Sequence, residues 1–161
     1  MTRSPRIGVG YDSHTFGADR PLLLGGVSIP HDSGLTGHSD GDAVAHAVTD
    51  AVLGAAALGD IGALFPDTDP QWRGADSMRM LATACARVHA AGLVVGNVDV
   101  TVVTQRPRLA PHVPAMRERL AAALGVPVGA VSVKGKTNEG MDAVGRGEGL
   151  QAFAVALLLP A

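Results

Sequence analysis

The segment from residue 11 to residue 50 constrains the fold and the chemistry of this chain more than any other. Residues 7–11 are predicted to form a short strand that leads into Asp12 and His14. Because side chains alternate along an extended backbone, these two residues should point to the same side. The segment ends in a helix predicted over residues 39–57, which starts with Ser and Asp and continues with Ala, Val and Leu. A strand end is therefore expected to face a helix start.

The predicted helix supplies a third candidate ligand, His46, near its beginning. Neutral imidazole and carboxylate are ordinary zinc donors, and three protein ligands leave a fourth position open, as in catalytic zinc sites. Asp12, His14 and His46 are therefore a candidate metal site. Alternatively, His46 is a capping or surface residue, and spacing alone leaves both interpretations open. Asp50, one helical turn from His46, is either an orienting partner of that histidine or a solvated carboxylate.

Composition limits the possible classes of protein. The chain has 161 residues, of which 47% are hydrophobic and 17% charged, which predicts a single globular domain over residues 1–161. Aromatic residues make up 3%, so Ala, Val and Leu must build the core. The net charge is −2 and there is no basic patch, so we expect no nucleic-acid partner. The single cysteine, Cys85, excludes an internal disulfide and a Cys-based zinc site, and it is predicted to be a buried apolar residue. No signal peptide, transit peptide or membrane-spanning run is recognisable, so we expect a cytoplasmic protein without a membrane partner.

The hydrophobic pattern predicts an α+β fold. A polar start over residues 1–6 precedes the first strand, and Gly25-Gly26 is predicted to join two short strands in a tight hairpin. The other predicted elements are helices over residues 76–91 and 111–124, strands over residues 98–102, 131–134 and 150–158, and irregular segments over residues 59–70 and 135–149. Helices on one face of a mixed four- to five-stranded sheet leave its other face to be covered, and self-association would cover it. The last strand is apolar on both faces and is expected to be buried on both.

Six motifs, in this order and spacing, carry a resemblance to a known family. They are Gly10-Tyr11-Asp12-Ser13-His14, Gly37-His38-Ser39-Asp40-Gly41-Asp42, Leu58-Gly59-Asp60-Ile61-Gly62, Phe65-Pro66-Asp67-Thr68-Asp69, Gly74-Ala75-Asp76-Ser77 and Gly145-Arg146-Gly147-Glu148-Gly149. Each motif alone is modestly specific, whereas the ordered set is highly specific and spans nearly the whole chain. The chain resembles the 2-C-methyl-D-erythritol 2,4-cyclodiphosphate synthases of the non-mevalonate isoprenoid pathway.

This resemblance implies a homotrimer whose active sites lie between neighbouring subunits. It implies that His38 and Thr137 are catalytic residues that position and stabilise the reacting phosphates. It implies that Glu139 is a ligand of a second divalent ion, magnesium or manganese. The implied zinc ligands are Asp12, His14 and His46.

The resemblance also implies three sets of substrate-binding residues. The methylerythritol phosphate part would contact Asp60, Ile61, Gly62, Phe65, Pro66, Asp67, Thr68 and Asp69. The cytidine diphosphate part would contact residues of the neighbouring subunit, which are Thr104, Gln105, Arg106, Pro107, Arg108, Leu109, Ala110, Lys136 and Thr137. The remaining implied contacts are Asp12, Ser13, His14, His38, Ser39, Asn138, Glu139, Ala143 and Arg146.

The implied reaction is intramolecular. A phosphate on the polyol of a cytidine diphosphate ester attacks the β-phosphorus, CMP leaves and a cyclic diphosphate forms. The nucleophile is already an anion, so no strong general base is needed, and the obstacle is holding two anions in line. The lack of a Ser-His-Asp or Cys-His pair agrees with this chemistry.

Three positions depart from the family pattern. Arg73 and Arg108 stand where the family often has lysine, so the charge is kept while the geometry changes. Asp142-Ala143 stands where the family commonly has Gly-Phe after the residue matching Glu139. The missing aromatic ring leaves open whether a central cavity binds isoprenoid diphosphates. Arg146 and Glu148 either line that cavity or form structural ion pairs.

Two other functions remain as alternatives. One is a metal-dependent phosphoesterase that uses the same Asp12, His14 and His46 site with an activated water. The other is a non-enzymatic trimer that binds isoprenoid diphosphates around a structural metal, although an open fourth ligand position argues against it.

Overall fold

A computed structural model describes residues 4–161, and a five-stranded mixed sheet is its main element. The expected polar start over residues 1–6 falls partly on residues 1–3, which lie outside the described residues. The strands are β1 (Arg6–Gly17), β2 (Leu22–Leu24), β3 (Val27–Ile29), β4 (Gly34–Leu35), β5 (Leu93–Val103), β6 (Val131–Lys136) and β7 (Gly149–Pro160), and the α-helices are α1 (Ala43–Ala56), α2 (Ile61–Leu64), α3 (Ser77–Ala90), α4 (Val113–Leu124) and α5 (Asp142–Gly145). The sheet order is β4-β1-β7-β5-β6, in which β5 and β6 pair in parallel and the other neighbours pair antiparallel.

The predicted hairpin is confirmed as the separate pair β2 and β3. Gly25 and Gly26 have φ angles of 58° and 74°. A two-residue hairpin turn of this type needs positive φ at both central positions, which glycine adopts without a steric penalty. The local sequence therefore determines this turn.

The long helices cover one face of the sheet. Helix α1 packs on β1 and β7, α3 packs on α1, and α4 packs on α3 and β6. The inner face of the sheet consists of small aliphatic side chains such as Val98 and Val100 in β5 and Ala152 and Ala154 in β7, all 1% exposed or less. The α+β class, the mixed sheet and the Ala-, Val- and Leu-based core are as predicted.

The opposite face of the sheet is apolar and open in the single chain. Ile7 and Val9 of β1 are 75% and 70% exposed, and Phe153 and Val155 of β7 are 40% and 48% exposed. The prediction that the last strand is buried on both faces is therefore wrong for one chain on its own. A contiguous apolar surface of this kind is typical of an interface.

Several predicted boundaries are wrong. Helix α1 begins at Ala43 rather than at residue 39, because Gly41 turns the chain with φ 76° and Asp42 caps the helix by accepting a hydrogen bond from Ala45 N–H. Strand β5 begins at Leu93, five residues before the predicted start, and α4 begins at Val113 after a short 3₁₀ turn. The two segments predicted to be irregular contain the one-turn helices α2 and α5.

Candidate metal centre and pocket

Three side chains converge where β1 passes the first turn of α1. Asp12 Oδ2 lies 2.7 Å from His14 Nε2 and 3.0 Å from His46 Nδ1, and the two imidazole nitrogens are 3.3 Å apart. Asp12 and His14 occupy the inward side of β1, as their spacing predicted, whereas Ser13 alternates to the opposite side. Within the described residues, this is the group of histidines and carboxylates that could hold a metal ion. The predicted convergence is confirmed.

The ring of His14 is oriented by a partner that the sequence did not reveal. Its Nδ1 atom forms a hydrogen bond with the backbone carbonyl of Thr36, which follows β4. Because a carbonyl oxygen only accepts, Nδ1 carries the hydrogen and Nε2 presents its lone pair towards Asp12. Such an imidazole can bind a metal through Nε2, and a backbone carbonyl is a common partner for the other nitrogen of a metal-binding histidine. The donor set and this orientation fit a zinc ion.

The cluster of Asp12, His14 and His46 favours the binding of a positive charge. Burial raises the pKa of Asp12, but the hydrogen bonds and positive charges that His14 and His46 offer when their rings carry a second proton outweigh it, so the pKa of this carboxyl is lowered. Burial lowers the pKa of His14, but the hydrogen bond and charge of Asp12 outweigh it, so the pKa of this imidazole is raised. Both shifts mean that the site stabilises an anionic carboxylate beside a cation.

Asp50 does not orient His46. Its carboxylate accepts a hydrogen bond of 2.7 Å from Ile61 N–H at the start of α2, and the residue is half-buried. The predicted orienting bond to His46 is therefore not formed, whereas the carboxylate remains partly solvated. Burial raises the pKa of Asp50, and the bond from Ile61 partly opposes that rise. Asp60 caps the same short helix by accepting from Ala63 N–H. Asp50 therefore ties α1 to the segment predicted to hold the methylerythritol phosphate.

The other residues predicted to bind the methylerythritol phosphate, residues 65–69, differ in burial and in structural role. Phe65 is 6% exposed and packs edge-on against Trp72, with ring centroids 4.8 Å apart, so it contributes to packing. Asp69 caps a 3₁₀ turn by accepting from Gln71 N–H. Residues 66–68 form the exposed or half-buried loop between these two residues.

His38 is exposed and lies in a loop held from both sides. The guanidinium group of Arg20 donates to the carbonyls of Gly37 and Ser39 at 3.0 and 2.6 Å, and Gly74 N–H donates to the His38 carbonyl at 2.9 Å. The loop backbone is thus fixed while the imidazole remains accessible. Sequence reasoning missed Arg20, because it is separated from the loop by seventeen residues or more and carries no motif signal.

A second feature is a cavity of about 1190 Å³ at the ends of β5 and β6. All residues predicted to bind cytidine diphosphate line it, and sequence reasoning missed the contributions of His31, Asp32, Val113, Val133, Lys134 and Gly135. Asp12, His14, His38 and His46 do not line it. Within one chain, the predicted metal site and the predicted nucleotide site are therefore separate. The lining residues predicted from sequence are Thr104, Gln105, Arg106, Pro107, Arg108, Leu109, Ala110, Lys136 and Thr137.

The segment after β6 holds the remaining predicted site residues. Glu139 is exposed, has φ 52°, and donates its backbone N–H to Thr137 Oγ1 at 3.3 Å. Asn138 donates to the carbonyl of Met141 and to the Asp142 carboxylate, and Ala143 is exposed. Arg146 pairs with Glu148 at 2.7 Å, and both are largely exposed. In the described part of the chain, these residues form no hydrogen bond with Asp12, His14 or His46.

Comparison with known proteins identifies the family. The model of the YgbB family matches residues 5–159. The chain belongs to the YgbB family. The chain is 60% identical over 154 residues to 2-C-methyl-D-erythritol 2,4-cyclodiphosphate synthase of Gemmatimonas aurantiaca, covering 96% of this chain and 93% of that protein. It is 61% identical over 156 residues to the synthase of the same name from Chromobacterium violaceum, covering 97% and 99%. The resemblance and the main function predicted from the six motifs are confirmed.

Solved structures agree with this assignment. The bifunctional IspDF from Campylobacter jejuni has a TM-score of 0.95 and 42% identity, covering 98% of this chain and 43% of that one. A 2C-methyl-D-erythritol-2,4-cyclodiphosphate synthase in its CDP-bound form has a TM-score of 0.87 and 44% identity, covering 95% and 99%. Over the described residues, no helix combines the length and apolarity needed to cross a membrane.

Proposed function

We propose that this chain converts 4-diphosphocytidyl-2-C-methyl-D-erythritol 2-phosphate to 2-C-methyl-D-erythritol 2,4-cyclodiphosphate and CMP, as a phosphorus–oxygen lyase. The observation that carries the proposal is the convergence of Asp12, His14 and His46 in a chain so similar to named synthases. An oxygen of the 2-phosphate bonds to the β-phosphorus, and the bond from that phosphorus to the oxygen of CMP breaks. The leaving CMP takes the electron pair, so atoms and charge balance without a general base.

The side chains position two anions that would otherwise repel each other. Asp12, His14 and His46 would hold a zinc ion, which supplies charge neutralisation and polarisation of a phosphate oxygen. His38 donates to a reacting phosphate from a loop whose backbone is fixed by Arg20. Thr137 contributes a hydroxyl to the diphosphate, and Lys136 contributes a cation beside it. Glu139 would hold a second ion, magnesium or manganese, whose hard character would suit carboxylate and phosphate oxygens.

The two parts of the substrate bind to different segments. The methylerythritol phosphate part lies against residues 60–62 and 65–69, which Asp50 anchors through Ile61. The cytidine diphosphate part occupies the cavity at the ends of β5 and β6. A relative whose structure is a CDP-bound form supports a cytidine nucleotide as a ligand. Ser39, Asn138, Ala143 and Arg146 supply the remaining contacts of the proposed site, whereas the Ser13 side chain lies on the opposite side of β1 from the metal ligands.

A homotrimer completes the active site. The metal ligands do not line the cavity within one chain, which supports an active site that combines residues of two chains. The open apolar face formed by Ile7, Val9, Tyr11, Phe153 and Val155 offers a surface for that association. A closed, symmetric arrangement buries this face in every subunit.

The decisive experiment follows the oxygen atoms. The purified protein, incubated with substrate and magnesium in ¹⁸O-labelled water, should release CMP and form the cyclic diphosphate with no ¹⁸O in either product. A phosphoesterase would instead place solvent oxygen in its product, and a non-enzymatic trimer would release nothing. His46→Ala should abolish CMP release and zinc content together. His89→Ala, an exposed histidine of α3, is the matched control that should leave both unchanged.

A further inference from the structure

We propose that Asp40 and Ser77 are positioning residues that set which nitrogen of His46 carries hydrogen, and thereby set the metal affinity of the site. The inference rests on the proposed metal site and deepens it. Neither residue was assigned this role from the sequence, where each belongs to one of the six motifs. Thirty-seven residues separate them along the chain.

Asp40 holds Ser77 with both carboxylate oxygens. Oδ2 accepts the backbone N–H of Ser77 at 3.0 Å, and Oδ1 accepts its hydroxyl at 2.5 Å. Oδ1 also accepts the backbone N–H of Asp42 at 3.1 Å. An ionised carboxylate has only acceptors, so the single hydroxyl hydrogen of Ser77 points to Asp40.

Ser77 consequently can only accept from His46. Its Oγ atom lies 2.8 Å from His46 Nε2, so that nitrogen must carry the hydrogen. Nδ1 of the same ring then presents a lone pair to Asp12 Oδ2, 3.0 Å away. His14 Nε2 also presents a lone pair, because its Nδ1–H is bound to the Thr36 carbonyl. Three acceptor atoms therefore face one another, which is the arrangement that a cation stabilises.

Two neighbours of His46 act differently from Ser77. Ser39 Oγ lies 2.9 Å from the same Nε2 atom. Its hydroxyl is not bound to Asp40 and can either donate or accept. Ser39 therefore favours neither the form of His46 with hydrogen on Nδ1 nor the form with hydrogen on Nε2. Asp12 on its own would favour a hydrogen on Nδ1, which would block metal binding there. The hydrogen bond that Ser77 donates to Asp40 opposes this placement of hydrogen on Nδ1, because it leaves the Ser77 oxygen to accept from Nε2. Ser77 is fully buried, so water cannot replace its hydroxyl.

The first test measures zinc affinity by competition with a chromophoric chelator. Ser77→Ala and Asp40→Asn should each weaken zinc binding about 10- to 100-fold, as is typical when a partner of a metal-binding histidine is removed. Ser77→Thr keeps the hydroxyl and should stay within about threefold of the native protein. Native affinity in both Ser77→Ala and Asp40→Asn would overturn the inference. Absence of zinc binding by the native protein would overturn the proposed metal site itself.

The second test needs no substitution. Histidine ¹⁵N chemical shifts of the metal-free native protein, recorded at alkaline pH where imidazole is neutral, should show hydrogen on Nε2 of His46. Ser77→Ala should show a mixture of the two forms. Hydrogen on Nδ1 of His46 in the native protein would refute the role of Asp40 and Ser77, whatever the zinc affinity proves to be.

Discussion

Gly10 in β1 lies directly against the backbone of Ala47 in α1. A Cβ atom at position 10 would stand 1.8 Å from the Ala47 carbonyl oxygen, closer than any side chain tolerates. The same close approach occurs two residues earlier in β1. A Cβ atom at Gly8 would stand 2.2 Å from the carbonyl oxygen of Ala51. The absence of side chains lets the helix lie on the strand. His46, which adjoins Ala47, is thereby brought against Asp12, two residues after Gly10.

Gly10→Ala should damage both the fold and the metal site. The helix must move away from β1, so we expect a loss of about 1–3 kcal/mol or more in the free energy of unfolding. Zinc affinity should fall as well, because His46 moves with the helix. Chemical denaturation and chelator competition measure the two effects.

Gly54→Ala provides the matched control for this prediction. Gly54 is exposed in the same helix, and a Cβ atom there meets nothing within 4 Å. Alanine should stabilise the helix by about 0.5–1 kcal/mol without changing zinc affinity. If Gly10→Ala behaves like Gly54→Ala, close helix–strand packing does not position His46.

Asp50→Ala should impair substrate binding more than turnover. Loss of the acceptor for Ile61 N–H releases α2 and the loop after it, which we propose to hold the methylerythritol phosphate. We expect KM to rise about tenfold, equivalent to about 1.4 kcal/mol, with a smaller change in kcat. Asp50→Asn keeps an acceptor oxygen and should stay near the native KM. A fall in kcat with unchanged KM would contradict this role.

Structural features that depend on the local pattern of residues were predicted correctly from the sequence. Alternation along β1 placed Asp12 and His14 on one side, and the paired glycines predicted the hairpin. The start of α1 was predicted too early because both Ser39 and Asp42 are good helix caps. The choice between them depends on Gly25 and Gly26, whose backbone N–H groups donate to Asp42 at 2.9 and 2.7 Å.

Contacts between distant segments could not be predicted from residue patterns. Strand β7 lies between β1 and β5, although it is the last strand in the chain. The Asp40–Ser77 and Asp50–Ile61 bonds likewise depend on how α1 packs against its neighbours. Resemblance to a family placed residues in one site, but it did not reveal which backbone and hydroxyl groups orient them.

Cys85 should react slowly with thiol reagents in the folded protein. Burial raises the pKa of this thiol to about 11. At about pH 8 the thiolate fraction is then roughly 100-fold lower than for an ordinary cysteine, and only the thiolate reacts. Alkylation by iodoacetamide should accelerate as the pH rises towards 11, and it should be fast in urea. Cys85 is half-buried rather than fully buried as predicted. Rapid labelling of the folded protein at about pH 8 would contradict the raised pKa of its thiol.

Phe153→Asp should convert the proposed trimer into monomers that remain folded. Phe153 lies on the open face of the sheet beside Tyr11, with ring centroids 5.1 Å apart, and a charge there would be buried without a partner in the assembly. In the single chain the residue is 40% exposed, so the effect on monomer folding should be small. Light scattering after size-exclusion chromatography measures the mass, and CMP release should be lost because metal ligands and cavity then belong to separate molecules.

Val128→Asp is the matched control for the trimer prediction. Val128 is also 40% exposed but lies in the 3₁₀ turn before β6, outside the open face of the sheet. This variant should remain trimeric and active. Because the proposed active site combines residues of two chains, a monomeric Phe153→Asp protein that still released CMP would refute the intersubunit site. Mixing Phe153→Asp with native protein should not restore its activity, since its own sheet face carries the charge.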